Sequence, residues 1–207
     1  RSNEHKIFEA LTQVYEVLKI GRIASKAGIS DPYILRQLQL ITTKPVMFVC
    51  NVSETDIQNG NKYTEAVKSK VGDSPMVIIS ASIEADIAQL NSQKERLEFL
   101  RSLGIESTGL DKVIKQGYDL LDLLTYFTVG PKEAKAWTIR KGMTAPQAAG
   151  IIHSDFERGF ICAETITWQD YVKYKGELGA KQMGKMKLEG RDYIVQDGDV
   201  LHFRFNV

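Results

Sequence analysis

Two short loops hold the residues whose types and spacing can do chemistry. Asn51-Val52-Ser53-Glu54 directly follows the apolar run Val46–Cys50, and Ser80-Ala81-Ser82-Ile83-Glu84 directly follows the apolar run Met76–Ile79. Parallel α/β sheets take ligands just outside the carboxyl ends of their strands, where both loops fall. A carboxylate at such a strand tip can accept hydrogen bonds from N–H donors of a ligand. The chemistry on offer is recognition, with no group placed for bond making.

In guanine-nucleotide-binding P-loop proteins, an Asn-Lys-x-Asp loop follows one strand and a Ser-Ala-x loop follows the next. Here Glu54 stands at the aspartate position, one methylene longer, and Val52 stands at the lysine position without an ammonium group. A displaced carboxylate weakens the guanine contact, since unpaired polar edges cost on the order of 1–3 kcal/mol each. The loops therefore point to a purine site that is not strictly guanine-specific, with adenine as the natural candidate. Asn-x-x-Glu alone also describes a turn that caps a helix. The Ser-Ala loop at the next strand end adds weight to the nucleotide reading of Asn51, Val52, Ser53, Glu54, Ser80 and Ala81. No Gly-x-x-x-x-Gly-Lys-Ser/Thr occurs in the sequence. That loop cradles the phosphates and supplies a Mg²⁺ hydroxyl. No residue is assigned a catalytic or metal-binding role, and turnover by this chain alone is not expected.

A second feature is basic. Between Tyr171 and Arg191 stand Lys173, Lys175, Lys181, Lys185, Lys187 and Arg191 against Glu177 and Glu189. The cluster reads either as a solvated face or as an RNA contact patch. His153 and Asp155 lack a third partner for catalysis or metal binding and read as a local hydrogen bond in a loop. Cys50 and Cys162 have no metal-type spacing and read as reduced, largely buried thiols. Trp137, Phe127, Phe203 and Phe205 fall at strand positions and read as core.

The elements that position these residues follow from periodicity. Residues 4–20 predict an amphipathic helix with Ile7, Phe8, Leu11, Val14 and Leu18 at helical spacing. Asp31-Pro32 predicts an N-cap and a helix to about Ile41, able to form a hairpin with the first. Val46–Cys50 and Met76–Ile79 read as strands buried on both faces, and with a helix over Lys62–Val71 they make a βαβ unit. Ser92 and Glu95 form a capping box, and Leu110–Leu121 is helical. A sheet of about two parallel strands needs cover from helices, a neighbouring domain or another chain. From Leu123 the texture turns β-rich, with strands over Thr125–Val129, Lys135–Arg140, Gly159–Thr165, Asp192–Val195 and Val200–Phe205. Short helices are expected at Pro146–Ile151 and Glu177–Gly184, giving an α+β domain of roughly 85 residues.

The bulk properties bound these readings. The chain has 207 residues, 43% hydrophobic and 26% charged, with a net charge of +1. That gives room for one or two domains and no overall basic excess for non-specific nucleic-acid binding. No apolar run nears the roughly 20 residues that span a bilayer. The chain opens Arg1-Ser2-Asn3, and helical spacing begins at once, so it reads as a stretch of a longer cytoplasmic protein.

Several long motifs carry a family resemblance. Phe127-Thr128-Val129-Gly130-Pro131-Lys132-Glu133, Ala136-Trp137-Thr138-Ile139, Ala145-Pro146-Gln147-Ala148-Ala149-Gly150 and Ile152-His153-Ser154-Asp155-Phe156-Glu157-Arg158-Gly159-Phe160 closely resemble the YchF/Obg-like ATPase family. So do Leu40-Ile41-Thr42-Thr43-Lys44-Pro45 and the ending from Glu189 to Val207. The resemblance implies the C-terminal part of an Obg-type P-loop G domain, an α/β remnant with helical segments, followed by an α+β, β-grasp (ubiquitin-like) TGS domain. Residues 1–41 would end a helical, partly coiled-coil insertion, 42–121 would be the last part of the G domain, and 122–207 the TGS domain. It further implies ATP binding and hydrolysis with Mg²⁺ in the full-length protein, and association with ribosomes or RNA. DNA specificity and membrane attachment are not implied. The phosphate loop, switches and Mg²⁺ ligands of the N-terminal half are absent here, so no cofactor is expected to be held by this chain alone and that half becomes an expected partner.

Overall fold

A computed structural model describes residues 3–206. The chain divides into two compact units, residues 1–113 and 114–207.

The first unit opens with helix α1 (Asn3–Lys19), which packs on helix α2 (Pro32–Leu38) and on a 3₁₀ turn over Ala24–Ala27. Ala10 and Val14 are buried, whereas Phe8, Leu11, Tyr15 and Leu18 are 68%, 48%, 62% and 46% exposed. Their spacing of three, four and three residues is that of a coiled-coil seam. The Asp31 carboxylate caps α2, accepting from Tyr33 N and Ile34 N, and proline takes the first helical position. The helix stops at Leu38 because Gln39 turns left-handed (φ 48°) and donates back to Leu35 O. The expected continuation to Ile41 does not form, and Ile41 is 85% exposed.

Strands β1 (Phe48–Asn51) and β2 (Met76–Ile79) pair in parallel, Phe48 with Met76 through Asn51 with Ile79. Helix α3 (Lys62–Val71) connects them, capped by Asn61, whose side chain accepts from Tyr63 N and Thr64 N. After β2 come α4 (Ala81–Gln89), α5 (Gln93–Ser102) and α6 (Gly109–Leu120). Ser92 and Glu95 make both bonds of the capping box on α5. The expectation of strands buried on both faces fails for β1. Its residues alternate between half-buried and exposed, and Val49 is 44% exposed. Among the described residues β1 has only β2 beside it, so its other edge and one face stay open. Helices cover the opposite side. Ile57, Ile83, Ile87 and Leu100 form a buried core on which Val52, Ile78, Phe99, Leu103 and Ile105 pack.

The second unit is a five-stranded mixed sheet. Strands β3 (Leu123–Val129) and β4 (Ala134–Arg140) form a hairpin; β5 is Phe160–Thr167, β6 is Lys187–Glu189 and β7 is Asp199–Phe205. The order is β4-β3-β7-β5-β6, with β3 and β7 parallel and the other pairs antiparallel. Helix α7 (Ala145–Ile152) packs on one face over Leu124, Tyr126, Ile139, Ala163, Leu201 and Phe203. The Tyr126 ring is fully buried and its hydroxyl donates to Ala148 O at 2.9 Å, while burial pushes its pKa up.

The predicted strand at Asp192–Val195 is absent. That stretch makes one isolated bridge, Thr144 to Ile194, and two flanking bonds, Ala145 N to Tyr193 O and Val195 N to Met143 O. The strand there is instead β6, on the sheet edge. Two short helices of this unit were not anticipated, α8 (Ser154–Arg158) and α9 (Trp168–Lys173), the latter capped by Thr167 Oγ1, and in the first unit α4 begins at Ala81, where a loop through Glu84 was expected. Helix α10 (Glu177–Gln182) matches the helix expected at Glu177–Gly184 to within two residues.

Candidate functional site

The register of β1 and β2 sets Asn51 beside Ile79, so the loops that follow start at neighbouring strand tips. Val52 N donates to Ile79 O at 2.9 Å, which extends the pairing one step past β1. The Asn51 side chain then crosses between the loops: its Oδ1 accepts the Ala81 backbone N–H at 3.0 Å. The structure thus brings Asn51, Val52, Ser80 and Ala81 together.

The six loop residues play different structural parts. Ser80 is fully buried, and its hydroxyl lies 3.0 Å from Ser82 Oγ. Val52 is half-buried and packs against the Ile57–Leu100 core. Both shape the loop from within. Asn51, Ser53, Glu54 and Ala81 face solvent. Glu54 opens a 3₁₀ turn over Glu54–Asp56.

Asp56 and Tyr63, beside the loops, were missed by sequence reasoning, and Glu84 was read only as the end of the second loop. The Asp56 carboxylate accepts from Ser53 Oγ at 3.0 Å and from Asn61 Nδ2 at 2.8 Å, tying the first loop to the cap of α3. The Asn61 and Ser53 hydrogen bonds hold the Asp56 carboxyl below its ordinary value. Tyr63 is 69% exposed and lines a cavity of about 330 Å³ with Asn51, Val52, Asn61 and Thr64. Glu84, one turn into α4, accepts from Gly109 N at 2.6 Å and Leu110 N at 3.3 Å. It fastens the second loop's helix to the start of α6. Gly109 permits the approach, because a Cβ there would lie 2.8 Å from the Ile79 side chain.

The basic segment runs through α9, α10 and β6. Lys173, Lys175, Lys181, Lys185 and Lys187 are exposed. Arg191 is engaged within the fold: its guanidinium donates to Phe160 O at 2.8 Å and lies 5.8 Å from the centre of that ring. His153 Nδ1 accepts the Asp155 N–H at 3.1 Å and caps α8. Arg158 pairs with Asp155 and is the main cause of that carboxyl's lowered pKa. Cys50 and Cys162 are both half-buried free thiols. Phe203 belongs to the core, but Phe127 faces the side away from α7 and Phe205 is 37% exposed.

Comparison with known proteins adds to this geometry. Residues 123–206 match the family model YchF-GTPase_C, described as a protein of unknown function (DUF933). The chain is 54% identical over 176 residues to the ribosome-binding ATPase YchF of Escherichia coli O157:H7, covering 84% of this chain and 48% of that protein. The chain belongs to the YchF family. It matches the C-terminal part of YchF proteins. A ribosome-binding ATPase YchF from Bacillus subtilis is 44% identical over 206 residues, covering 97% of this chain and 56% of its own length. The solved YchF GTPase of Schizosaccharomyces pombe superposes with a TM-score of 0.79 at 33% identity, over 95% of this chain and 53% of that one. The chain thus spans about half the length of the curated relatives it matches.

Proposed function

We propose that this chain is the base-recognition end and C-terminal domain of an ATP-binding, ATP-hydrolysing P-loop protein that works with ribosomes in the cytoplasm. The observation that carries the reading is the Asn51 Oδ1 to Ala81 N–H bond between adjacent strand tips, in a chain akin to ribosome-binding ATPases. In this reading a purine ring lies against Asn51, Val52, Ser53, Glu54, Ser80 and Ala81. Val52 in place of an ammonium-bearing side chain, and Glu54 in place of a shorter carboxylate, favour adenine over guanine.

The residues present fit a base and not its charged tail. The sequence lacks a glycine-rich phosphate loop. Phosphates and Mg²⁺ therefore fall to the N-terminal half of the G domain, which would sit against the open edge of β1. The exposed seam Phe8-Leu11-Tyr15-Leu18 suits the remainder of a coiled-coil insertion.

Residues 122–207 read as a TGS domain of the β-grasp type, preceded by insertion and return helix over 1–41 and G-domain remnant over 42–121. Supporting this are the strand order β4-β3-β7-β5-β6, the parallel β3–β7 pair at its centre and α7 across one face. The exposed lysines of 173–187 are assigned to ribosome contact. Co-sedimentation with ribosomes tests this: Lys181→Glu, Lys185→Glu and Lys187→Glu together should release the chain, and unaltered pelleting removes the lysines from the account. A second reading, an RNA- or ribosome-binding module without nucleotide activity, is favoured by the same lysines. It predicts pelleting that is indifferent to Asn51→Ala in the longer protein, whereas the first reading predicts loss of its nucleotide dependence.

A further inference from the structure

The sheet of the second unit has one face covered by α7 and one face partly open. Successive β3 residues alternate between them. Leu124 and Tyr126 go to the covered face and are buried. Phe127 and Val129 go to the other, where Phe127 lies beside Val200 of β7. Helix α9 crosses this second face and brings Trp168, Tyr171 and Val172 alongside. These six side chains enclose an open cleft of about 240 Å³ with apolar walls. Ala134 and Ala136, opposite Val129 and Phe127 on β4, are small and exposed, so the cleft continues onto a low strip of sheet.

The cleft is held open. Trp168 is 48% exposed and Val172 is 67% exposed. The Trp168 backbone N–H donates to Gly198 O at 2.9 Å, which fixes the start of α9 beside the turn into β7. The Trp168 indole sits on Gly198, a left-handed turn residue (φ 82°) where no Cβ could be accommodated.

The adjoining segment says what chemistry covers it. From Val172 to Leu188 the chain exposes Val172, Leu178, Met183 and Leu188, all aliphatic or thioether side chains. Among them stand five exposed lysines, 173, 175, 181, 185 and 187, against the single acid Glu177. RNA phosphates would match the lysines, and Phe127, Trp168 and Tyr171 of the cleft offer planes on which a base can stack, but the side chains exposed among the lysines themselves are leucine, valine and methionine, which give successive bases no plane to stack on. A small polar ligand would need converging donors and acceptors, which the cleft walls lack. A helix with an apolar stripe and acidic flanks meets both demands at once.

We propose that this cleft and the lysine-bearing segment beside it dock an acidic amphipathic helix of a protein partner. The inference deepens the reading of these lysines as a ribosome contact and rests on it, making the contact one with protein. The test is nuclear magnetic resonance on the chain itself, following the Trp168 indole N–H and the Phe127 and Val172 amides. The probes are an acidic peptide of about four helical turns with leucines at i, i+3, i+4 and i+7, the same peptide with serine for leucine, and an oligouridylate. The leucine peptide should shift these resonances saturably, and the serine peptide and oligouridylate should not. Val172→Glu, at an exposed position the fold tolerates, should weaken the peptide about tenfold or more. Lys173→Glu with Lys175→Glu should weaken it several-fold and reduce its salt dependence. An oligouridylate that shifts Trp168 or displaces the peptide would make the surface an RNA site and overturn the proposal. So would peptide binding indifferent to Val172→Glu. Ribosome co-sedimentation separates the two readings. A parent chain that does not pellet overturns the ribosome assignment, whereas one that pellets while Trp168 stays silent to the peptide overturns only the helix docking.

Discussion

Removing the Glu84 carboxylate should loosen the start of α6, whose residues 109–113 belong to the first unit. Two backbone donors, Gly109 N and Leu110 N, lose their acceptor in Glu84→Ala. Loss of a helix cap costs about 0.5–2 kcal/mol, and loss of a negative charge at a helix N-terminus about 0.3–1 kcal/mol. A second cap remains, since Thr108 Oγ1 accepts from Asp111 N at 2.9 Å and the Asp111 carboxylate accepts from Thr108 N at 3.2 Å. The expected net loss is therefore about 1–2 kcal/mol, equivalent to a factor of roughly 5–30 in local opening. Fluorescence is the wrong assay, because both tryptophans, Trp137 and Trp168, lie in residues 114–207. Amide hydrogen exchange at Gly109, Leu110 and Ile83 reads the first unit directly. Glu84→Gln keeps an acceptor and loses only the charge, so its effect should be about half as large. Unchanged exchange in Glu84→Ala, or equal damage from glutamine, would refute the reasoning.

Other consequences follow from single contacts. Tyr126→Phe removes a buried hydroxyl bonded to Ala148 O and should destabilise the second unit by about 1–2 kcal/mol in urea unfolding followed by tryptophan fluorescence. Gly198→Ala sets a Cβ against the Trp168 ring at a left-handed position, so the same assay should show a loss of about 1–3 kcal/mol, with Trp168 displaced. Because hydrogen bonds from Asn61 and Ser53 lower the folded-state pKa of Asp56, its contribution is present above the ordinary aspartate range of about 4 and fades as pH falls through the folded value. The Ser53 and Asn61 amide shifts should titrate with it, and Asp56→Asn should abolish that titration.

What the sequence made legible is what local chemistry decides. The helix over Lys62–Val71 and the strand over Met76–Ile79 stand where periodicity sets them, and Asp31 and the Ser92/Glu95 pair cap as their spacing predicts. The meeting of the Asn51 and Ala81 loops was legible because parallel strands deliver their following loops to one edge of the sheet. The failures come from long-range partners. Lys187-Leu188-Glu189 has no apolar pattern and becomes a strand only because Ala163–Thr165 offers an edge. Asp192–Val195 has strand-like residues but spends its hydrogen bonds on Met143 and Ala145 instead of a sheet. Nothing local distinguishes Arg191 from its neighbouring lysines, since what engages it is Phe160. Nothing in the local sequence marks Asp56, because its partner Asn61 stands five residues on at the cap of α3.

The account stands most directly on a titration of the isotope-labelled chain with adenosine and with ATP, at millimolar concentrations and followed by amide shifts. It predicts that both ligands move the same amides, Val52 to Glu54 and Ala81, equally weakly, and that Asn51→Ala abolishes the response. ATP binding far more tightly than adenosine, or shifts that bypass both loops, would contradict it.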